Sequence, residues 1–236
     1  MQTTSVIVHI FYPGSWQLIK NKCEEILKSS VNVIITVCNE KVIDEIEVLP
    51  GFTILKVPNM GKDIGGKLIG MSYYLNYCTK TDLLIFLHDK ISPQTINAEY
   101  WQNKLYSLFE CEKFKTILEI FNLNNKVGLI GSKSFLKNEF DESENRFLTT
   151  NNYILKELIK KYELNCSSFN FIAGTIFIIR SVIFEDFFTL FSPLNARIDL
   201  EKKNVIDLEK GTYTHSWERL FCFIANHYKY EIRGIA

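Results

Sequence analysis

An imidazole, a carboxylate and an ammonium follow one another at His88, Asp89 and Lys90, directly after the apolar run 83–87. A short, continuous apolar run predicts a strand covered on both faces, as in a parallel sheet. In open α/β sheets, ligands bind beyond the carboxyl ends of the strands. The triplet therefore predicts a site for a phosphorylated or metal-bound ligand. The alternative is a strand that runs into a solvated turn at Pro93.

Two ways of holding a phosphate are open at this triplet. Asp89 beside His88 can place a divalent cation on a diphosphate, although hard cations prefer several oxygen ligands and the triplet has a single carboxylate. Lys90 can instead offset the phosphate charge directly, which makes a metal dispensable. The sequence does not choose between them.

Three glycines lie within residues 59–66, between a predicted strand and a predicted helix. Glycines at such a junction allow close backbone approach to a ligand and expose the amides of a helix N-terminus. The segment is neither a P-loop nor a G-x-G-x-x-G motif. We expect Lys62 to contact a diphosphate and Asp63 a base or ribose. The alternative is a plain turn with Asp63 near a helix start, where a carboxylate is favoured anyway.

Glu218 stands at the predicted start of a late helix, 217–226, in an aromatic setting. Such a setting raises the pKa of a carboxyl group and would suit Glu218 to act as a general base. Arg219 beside it can hold that pKa down or bind a phosphate. The alternative is a glutamate that stabilises the first turn of its helix.

Two further pairs of candidates lie next to predicted strands. Gly174 and Thr175, before a strand, suit a wall against which a sugar lies, and core packing explains them equally well. His9 and Tyr12, at the end of the first strand, lie where a nucleotide base is often held in such sheets. A lone histidine that ends a strand is more often structural.

The composition is that of an ordinary soluble globular chain of 236 residues, 47% hydrophobic and 23% charged. Basic and acidic residues balance at 27 each, so no global field favours nucleic acid or an anionic membrane, and we expect no nucleic-acid partner. The six cysteines lack zinc-ligand spacing. The first eight residues do not resemble a signal peptide, and no apolar run reaches the ~20 residues of a membrane span. We expect a cytoplasmic protein.

Strands alternate with helices along the chain, which argues for parallel pairing with right-handed crossovers. The predicted strands are 5–11, 32–38, 53–57, 83–87, 126–131, 175–180 and 228–232. The predicted helices are 16–29, one that ends at residue 77, 100–121 with one break, 154–162, 181–191 and 217–226. Residues 132–152 are expected to form a loop, and 199–211 to be irregular. The predicted class is α/β, a single domain with a mostly parallel central sheet flanked by helices.

Six segments, in this order, resemble the rhamnan synthesis protein F family of glycosyltransferases and, more distantly, the GT-A glycosyltransferase fold. The segments are 9–13, 59–65, 87–92, 127–131, 173–177 and 215–221. They span nearly the whole chain. The resemblance implies one GT-A-like (Rossmann-like) domain, with a nucleotide-binding half at about 1–95 and an acceptor-side half at about 96–236.

The resemblance also implies roles for individual residues. In GT-A enzymes the corresponding strand ends in an Asp-x-Asp motif that binds a metal and the sugar-nucleotide diphosphate, whereas here Lys90 replaces the second acid. A divalent cation (Mn or Mg) would have Asp89 and His215 as ligands, and metal-independent transfer is the alternative. Glu218 matches the carboxylate that serves as base in inverting transfer.

The substrates implied are a dTDP-, UDP- or GDP-linked sugar, such as rhamnose or another deoxysugar, and a glycan or lipid-linked glycan acceptor of a cell-surface polysaccharide such as lipopolysaccharide. This would place the protein at the inner face of the membrane. A rival hypothesis is a non-catalytic homologue that binds a nucleotide or glycan, which the weakened acidic motif favours. A nucleotidyltransferase would need more clustered acids than the chain offers.

Overall fold

A computed structural model describes residues 2–47, 49–90, 98–207 and 210–236. Its strands are β1 (Thr4–Ile10), β2 (Asn32–Val37), β3 (Phe52–Lys56), β4 (Leu83–His88), β5 (Val127–Ser132), β6 (Leu136–Asn138), β7 (Phe140–Asp141), β8 (Arg146–Phe147), β9 (Asn170–Ile172), β10 (Phe177–Arg180) and β11 (Glu231–Ile235). Its α-helices are α1 (Ser15–Ser29), α2 (Glu40–Ile43), α3 (Lys62–Tyr77), α4 (Ala98–Tyr106), α5 (Cys111–Leu123), α6 (Asn152–Lys161), α7 (Ser181–Leu190), α8 (Pro193–Ile198) and α9 (Tyr213–His227).

Within these residues, the central sheet has seven strands in the order β11-β5-β10-β4-β1-β2-β3. β4, β1, β2 and β3 pair in parallel, as do β5 and β11. β10 is antiparallel to both of its neighbours, β4 and β5. The predicted α/β class with a mostly parallel sheet is confirmed. Since β10 runs backwards, its first residue, Phe177, lies opposite Phe86 near the carboxyl end of β4.

The apolar character of β4 reflects a strand that is covered on both faces. All six of its residues are buried. Phe86 lies at the centre, with its ring 5.2 to 5.5 Å from the rings of Phe177, Phe184 and Phe221. Aromatic pairs at such distances contribute about 0.5–1.5 kcal/mol beyond the burial of their surface. The strand that carries the candidate triplet is therefore anchored in the aromatic core.

Three predictions about secondary structure are wrong. The last strand spans Glu231–Ile235 rather than 228–232, because the chain turns at Lys229 with a φ of +66°. Residues 132–152 are not a plain loop, because β6 pairs with β9, and β7 with β8. The rings of Phe140, Phe147 and Phe169 pack together there, at 4.7 to 5.2 Å, and give this polar stretch its own apolar anchor. α9 begins four residues before the predicted start, because the Thr212 side chain caps it.

Other expectations have simpler outcomes. The turn expected at Pro93 lies outside the described residues. All six cysteines are unpaired. No helix in the described part of the chain is long and apolar enough to cross a bilayer.

Two of the three glycines of 59–66 have a packing role, and the approach of a ligand to this segment stays a prediction. Gly65 and Gly66 are buried inside α3. A Cβ atom on Gly65 would lie 1.7 Å from the Met60 carbonyl oxygen, and one on Gly66 would lie 2.1 Å from Nδ1 of His9. The two glycines therefore let α3 pack closely against the loop before it and against β1.

The variant Gly65→Ala should lower the free energy of unfolding by about 2–3 kcal/mol, because overpacking against a backbone oxygen outweighs the better helix propensity of alanine. Gly14→Ala is the matched control. A Cβ at Gly14 meets no atom within 4 Å, so only the cost of its φ of +82° remains, about 1 kcal/mol. Urea denaturation of both variants tests this, and equal losses would contradict it.

Candidate active site

A fully buried ammonium, that of Lys67 in α3, forms the base of the candidate site. Its Nζ lies 2.9 Å from Asp63 Oδ2, 3.1 Å from His88 Nδ1, and 2.8 and 2.7 Å from the carbonyl and hydroxyl oxygens of Thr175. The side chain has no solvent exposure. A buried charge is tolerated when it is paired and hydrogen-bonded, and these contacts meet that condition. Lys67 thus joins α3, β4 and the segment that precedes β10.

The charge states of this cluster follow from its contacts. Burial would raise the pKa of Asp63, but the Lys67 ammonium and the Thr175 hydroxyl hold it well below its ordinary value. Burial holds the pKa of His88 well below its ordinary value. Since an ammonium has only donors, His88 Nδ1 accepts from Lys67 and the neutral ring carries its proton on Nε2. His88 is then uncharged, so Lys67 is the lasting charge partner of Asp63.

The dipeptide Gly174-Thr175 holds an unusual backbone conformation above this cluster. Its φ angles are +87° and +50°, and a positive φ is rare for a β-branched residue. The Thr175 hydroxyl donates to Asp63 Oδ2 at 2.6 Å. On the other side, the Gly174 amide donates to Glu218 Oε1, also at 2.6 Å. Asp63 of α3 and Glu218 of α9 are therefore joined through two consecutive residues.

Glu218 has different surroundings from those predicted. It lies in the second turn of α9, and its carboxylate is bound by polar groups rather than enclosed by aromatic rings. Oε2 accepts from Arg219 Nη1 at 2.6 Å, and the side chain keeps 20% of its exposure. This carboxylate is fixed in position and still reaches solvent.

Arg219, a predicted phosphate ligand, contacts protein groups in the structure. Besides Glu218, its guanidinium donates to Glu139 Oε2 at 3.2 Å and to the His215 carbonyl at 2.8 Å. It also lies over the Phe171 ring, 4.7 Å from the centroid. Its observed role is to hold the Glu218 carboxylate and to link α9 to the segment around the buried Glu139.

Asp89 lies at the end of β4 but faces the loop between β1 and α1. Its Oδ2 accepts from the amides of Phe11 and Tyr12 at 2.8 and 2.6 Å, and lies 2.9 Å from Ser15 Oγ. Burial raises its pKa to about 6, against the effect of these donors. The carboxylate is therefore mostly ionised at neutral pH and anchors the loop that carries Tyr12.

Lys62 is the first residue of α3 and follows Gly61, which has a φ of +73°. Its own φ is +51°, and its side chain is half-buried. Burial lowers the pKa of Lys62, the Asp63 carboxylate opposes this effect most, and the Lys90 ammonium adds to the lowering. Glu218 opposes it. Lys62, with the Asp63 carboxylate beside it in the first turn, thus stands at the N-terminus of a 16-residue helix, a place where anions bind readily.

His215 and Asp89, the predicted metal ligands, have different partners. His215 Nδ1 lies 2.6 Å from Thr212 Oγ1 and 3.5 Å from Asp207 Oδ1. No group of three His, Cys, Asp or Glu side chains in the described ranges is arranged to hold a metal ion. With Oδ2 of Asp89 occupied by the loop amides, the described residues do not fit the divalent cation site that the resemblance implies.

His9 lies inside the sheet rather than at its edge. The side chain is 1% exposed, and Nδ1 is 2.9 Å from Thr36 Oγ1. Burial lowers its pKa to about 4, so the ring is neutral at physiological pH. These contacts fit the alternative interpretation of His9 as a structural histidine. Tyr12, which follows this end of β1, is half-exposed.

Three residues of the site did not emerge from the sequence: Lys67, Glu139 and Asp207. Lys67 stands four residues after Asp63, a spacing that pairs opposite charges on one helix face. The small, apolar residues around it were a signal of burial. Nothing local in the sequence marks Glu139 or Asp207, because their partners Arg219 and His215 are distant along the chain.

The family model described as rhamnan synthesis protein F matches residues 1–230. The chain belongs to the rhamnan synthesis protein F family. The match covers every element from β1 to α9, including all the candidate site residues. A search of curated proteins finds no match.

Among solved structures, the chain is similar to 4-diphosphocytidyl-2C-methyl-D-erythritol synthase from Anaerococcus prevotii. The two share 13% sequence identity and a TM-score of 0.41, over 96% of this chain and 98% of the other.

Replacing Lys67 by methionine should lower the free energy of unfolding by about 3 kcal/mol, because it leaves the Asp63 carboxylate without its buried partner. Lys28→Met is the matched control. Lys28 pairs with Glu24 at the same helical spacing, but that pair is exposed, so its loss should leave stability nearly unchanged.

Adding Asp63→Asn to Lys67→Met should restore part of the lost stability, because the unpaired charge is removed. Urea denaturation of the parent protein, Lys67→Met, Asp63→Asn and the double variant measures this coupling. Equal destabilisation by Lys67→Met and Lys28→Met would show that the buried cluster does not hold the site together.

Proposed function

We propose that this member of the rhamnan synthesis protein F family transfers a sugar from a nucleotide-sugar donor to a growing cell-surface polysaccharide. Rhamnose or another deoxysugar on a dTDP, UDP or GDP carrier is the donor class. Family membership supports a role in rhamnan synthesis. The α/β sheet, with cations and a carboxylate gathered at its carboxyl edge, is an arrangement suited to a nucleotide sugar.

One observation carries the proposal: the Gly174-Thr175 turn brings Glu218 to the N-terminus of α3. Gly174 binds the Glu218 carboxylate, and Thr175 binds Asp63 in the first turn of α3. The Glu218 carboxylate of α9, which can accept a proton, then faces the N-terminus of α3, where an anion can bind. Sugar transfer from a nucleoside diphosphate needs both of these groups in one place.

The donor diphosphate lies, in this proposal, against Lys62, Lys90 and the amides of the α3 N-terminus. Negative charge grows on the diphosphate as its bond to the sugar breaks, and fixed cations stabilise that charge. Two ammonium groups supply the neutralisation without a metal. The nucleoside extends over β1–β3 toward Tyr12, with Asp63 near the ribose and the Gly174-Thr175 turn against the sugar.

Glu218 acts as the general base. It takes the proton of an acceptor hydroxyl as the hydroxyl oxygen bonds to the anomeric carbon, and the nucleoside diphosphate leaves with the electrons of the broken bond. Each carboxylate oxygen has two lone pairs, so the bonds from Gly174 and Arg219 leave acceptor capacity. Attack from the face opposite the diphosphate inverts the anomeric carbon.

The acceptor is a glycan or lipid-linked glycan, and the proposed place of action is the inner face of the membrane. The second candidate function is a non-catalytic homologue that binds a nucleotide sugar. The observation in its favour is that both oxygens of Glu218 and one oxygen of Asp89 already bind protein groups. This alternative predicts donor binding without turnover.

The variant Lys62→Ala should weaken binding of the sugar nucleotide about tenfold, the expected loss for one charge-assisted hydrogen bond. Thermal stabilisation by a panel of dTDP-, UDP- and GDP-sugars, with EDTA and with manganese, measures it. Lys41→Ala, an exposed lysine on α2, is the control. Unaltered affinity in Lys62→Ala, or binding that requires manganese, would refute the proposed diphosphate site.

Glu218→Gln should reduce turnover by at least about 100-fold, since general-base catalysis contributes factors of that order, while donor affinity stays within about twofold. Glutamine keeps an oxygen for the Gly174 amide but not an acceptor for Arg219, whose guanidinium still has Glu139 and the His215 carbonyl as acceptors. Release of nucleoside diphosphate with acceptor extract is the assay, and Glu112→Gln on the exposed face of α5 is the control. Near wild-type turnover would exclude Glu218 as the base. Donor binding with no turnover in the unmodified protein would favour the non-catalytic alternative.

A further inference from the structure

A surface cavity of about 430 Å³ lies beside the candidate site, beyond the carboxyl end of β5. One wall comes from α4 and the start of α5, and the other from the end of β5 and the turn after it. The lining residues are Asn103, Lys104, Ser107, Glu110, Lys113, Ser132, Lys133, Ser134 and Ala236. None of them belongs to the candidate site described above.

The lining is cationic and rich in hydroxyl donors. Lys104, Lys113 and Lys133 bring three ammonium groups, and Glu110 is the one acidic side chain of the lining. Glu110 lies 3.9 Å from Lys113, at the limit of an ion pair. The hydroxyls of Ser132 and Ser134 add further donors, whereas the Ser107 hydroxyl donates to the Lys104 carbonyl at 2.9 Å. Ammonium groups with convergent hydroxyls are a typical donor set for a phosphate group.

The cavity opens at the same edge of the sheet as the candidate site. β4 and β5 are both antiparallel to β10, so they run in the same direction and end at the same edge. They are two strand positions apart, a separation of roughly 10 Å. β1, β2 and β3, where the nucleotide lies in the proposed function, are on the other side of β4. A ligand in the cavity therefore approaches from the acceptor side.

A single helix, α4, separates the two places and contacts both. On one face, Tyr106 donates to the His88 carbonyl at 2.6 Å, and Gln102 donates to the Lys90 carbonyl at 3.4 Å. Another face supplies Asn103 and Lys104 to the cavity, and Ser107 follows directly after the helix. Trp101 packs edge-on against Phe135, next to Lys133, with ring centroids 5.6 Å apart. The cavity wall is thus braced against the strand end that carries Lys90.

We propose that this cavity binds a phosphate group carried by the acceptor, so that the acceptor is a phosphorylated glycan. The acceptor role rests on the proposed function, whereas the anion site itself does not. The shared chemistry is a phosphate ester or diphosphate, whose source is either a sugar phosphate or the diphosphate head of a lipid carrier.

Binding is tested first with inorganic pyrophosphate, read from backbone amide shifts of the full chain in solution. The amides of 103–107 and 132–134 should shift together, and the double variant Lys104→Gln, Lys133→Gln should weaken this response by at least about tenfold. Lys28→Gln with Lys115→Gln makes the same change of net charge at exposed positions and is the control. Unshifted amides at 132–134 in millimolar pyrophosphate, or a response unaltered in the cavity variant, would overturn the site.

The source of the phosphate is tested with glucose 1-phosphate and with farnesyl diphosphate as separate probes. Tighter binding of the first indicates a sugar phosphate, and tighter binding of the second indicates a lipid-linked acceptor. In the transfer assay, the cavity variant should raise the KM for the acceptor at least about tenfold. An unchanged acceptor KM would overturn the acceptor role. A protein that binds pyrophosphate at 132–134 but shows no turnover would refute the proposed function and leave the anion site standing.

Discussion

The buried ion pair between Lys67 and Asp63 is the interaction on which the rest of the candidate site depends. An ammonium enclosed by protein must have its donors satisfied, and the acceptors come from three separate elements. The same contacts hold Thr175 at a φ of +50°, a conformation that its branched side chain would not favour alone. Through Gly174, that turn orients Glu218. The buried charge of Lys67 thus determines where the Glu218 carboxylate lies.

Asp89 shows how a carboxylate in an expected ligand position can have a structural function. It ends the central strand, yet it binds two amides of the loop after β1. Positive charge then comes from Lys62 and Lys90, which approach from the neighbouring helix and from the same strand end. Cations fixed at a helix N-terminus can stabilise phosphate without the several oxygen ligands that a divalent metal requires. This arrangement supports the proposal of metal-independent charge neutralisation.

Much of the fold could be predicted because its elements have strong local periodicity. The run 83–87 is a buried strand, and α1 buries Trp16, Ile19, Cys23 and Ile26 at the expected helical spacing. The pairing direction of β10 could not be predicted from its residues, because an apolar strand has the same sequence pattern in parallel and in antiparallel pairing. The strands within 132–152 could not be predicted for a related reason, because the aromatic rings of this stretch pack against Phe169, which lies beyond α6.

For the candidate site, residue types were predictable and contacts were not. His88, Asp89 and Glu218 were noticed because polar groups stood at the ends of apolar segments. Whether a carboxylate faces a ligand or a loop amide depends on directions that sequence spacing does not encode. Lys67 carries the same helical spacing from Asp63 as Lys28 does from Glu24, and only the packing of α3 against β1 and β2 distinguishes a buried pair from an exposed one.

The reversed strand at the middle of the sheet also constrains how the chain can be made. β10 lies between β4 and β5, although it is synthesised after both of them. While the ribosome is still adding residues before 177, β4 and β5 have no partner between them, and both present unpaired backbone edges. The position between β4 and β5 must therefore stay unoccupied until β10 has been synthesised. Such distant pairing slows folding and favours aggregation of incomplete chains, so truncation before β10 should be poorly tolerated in the cell.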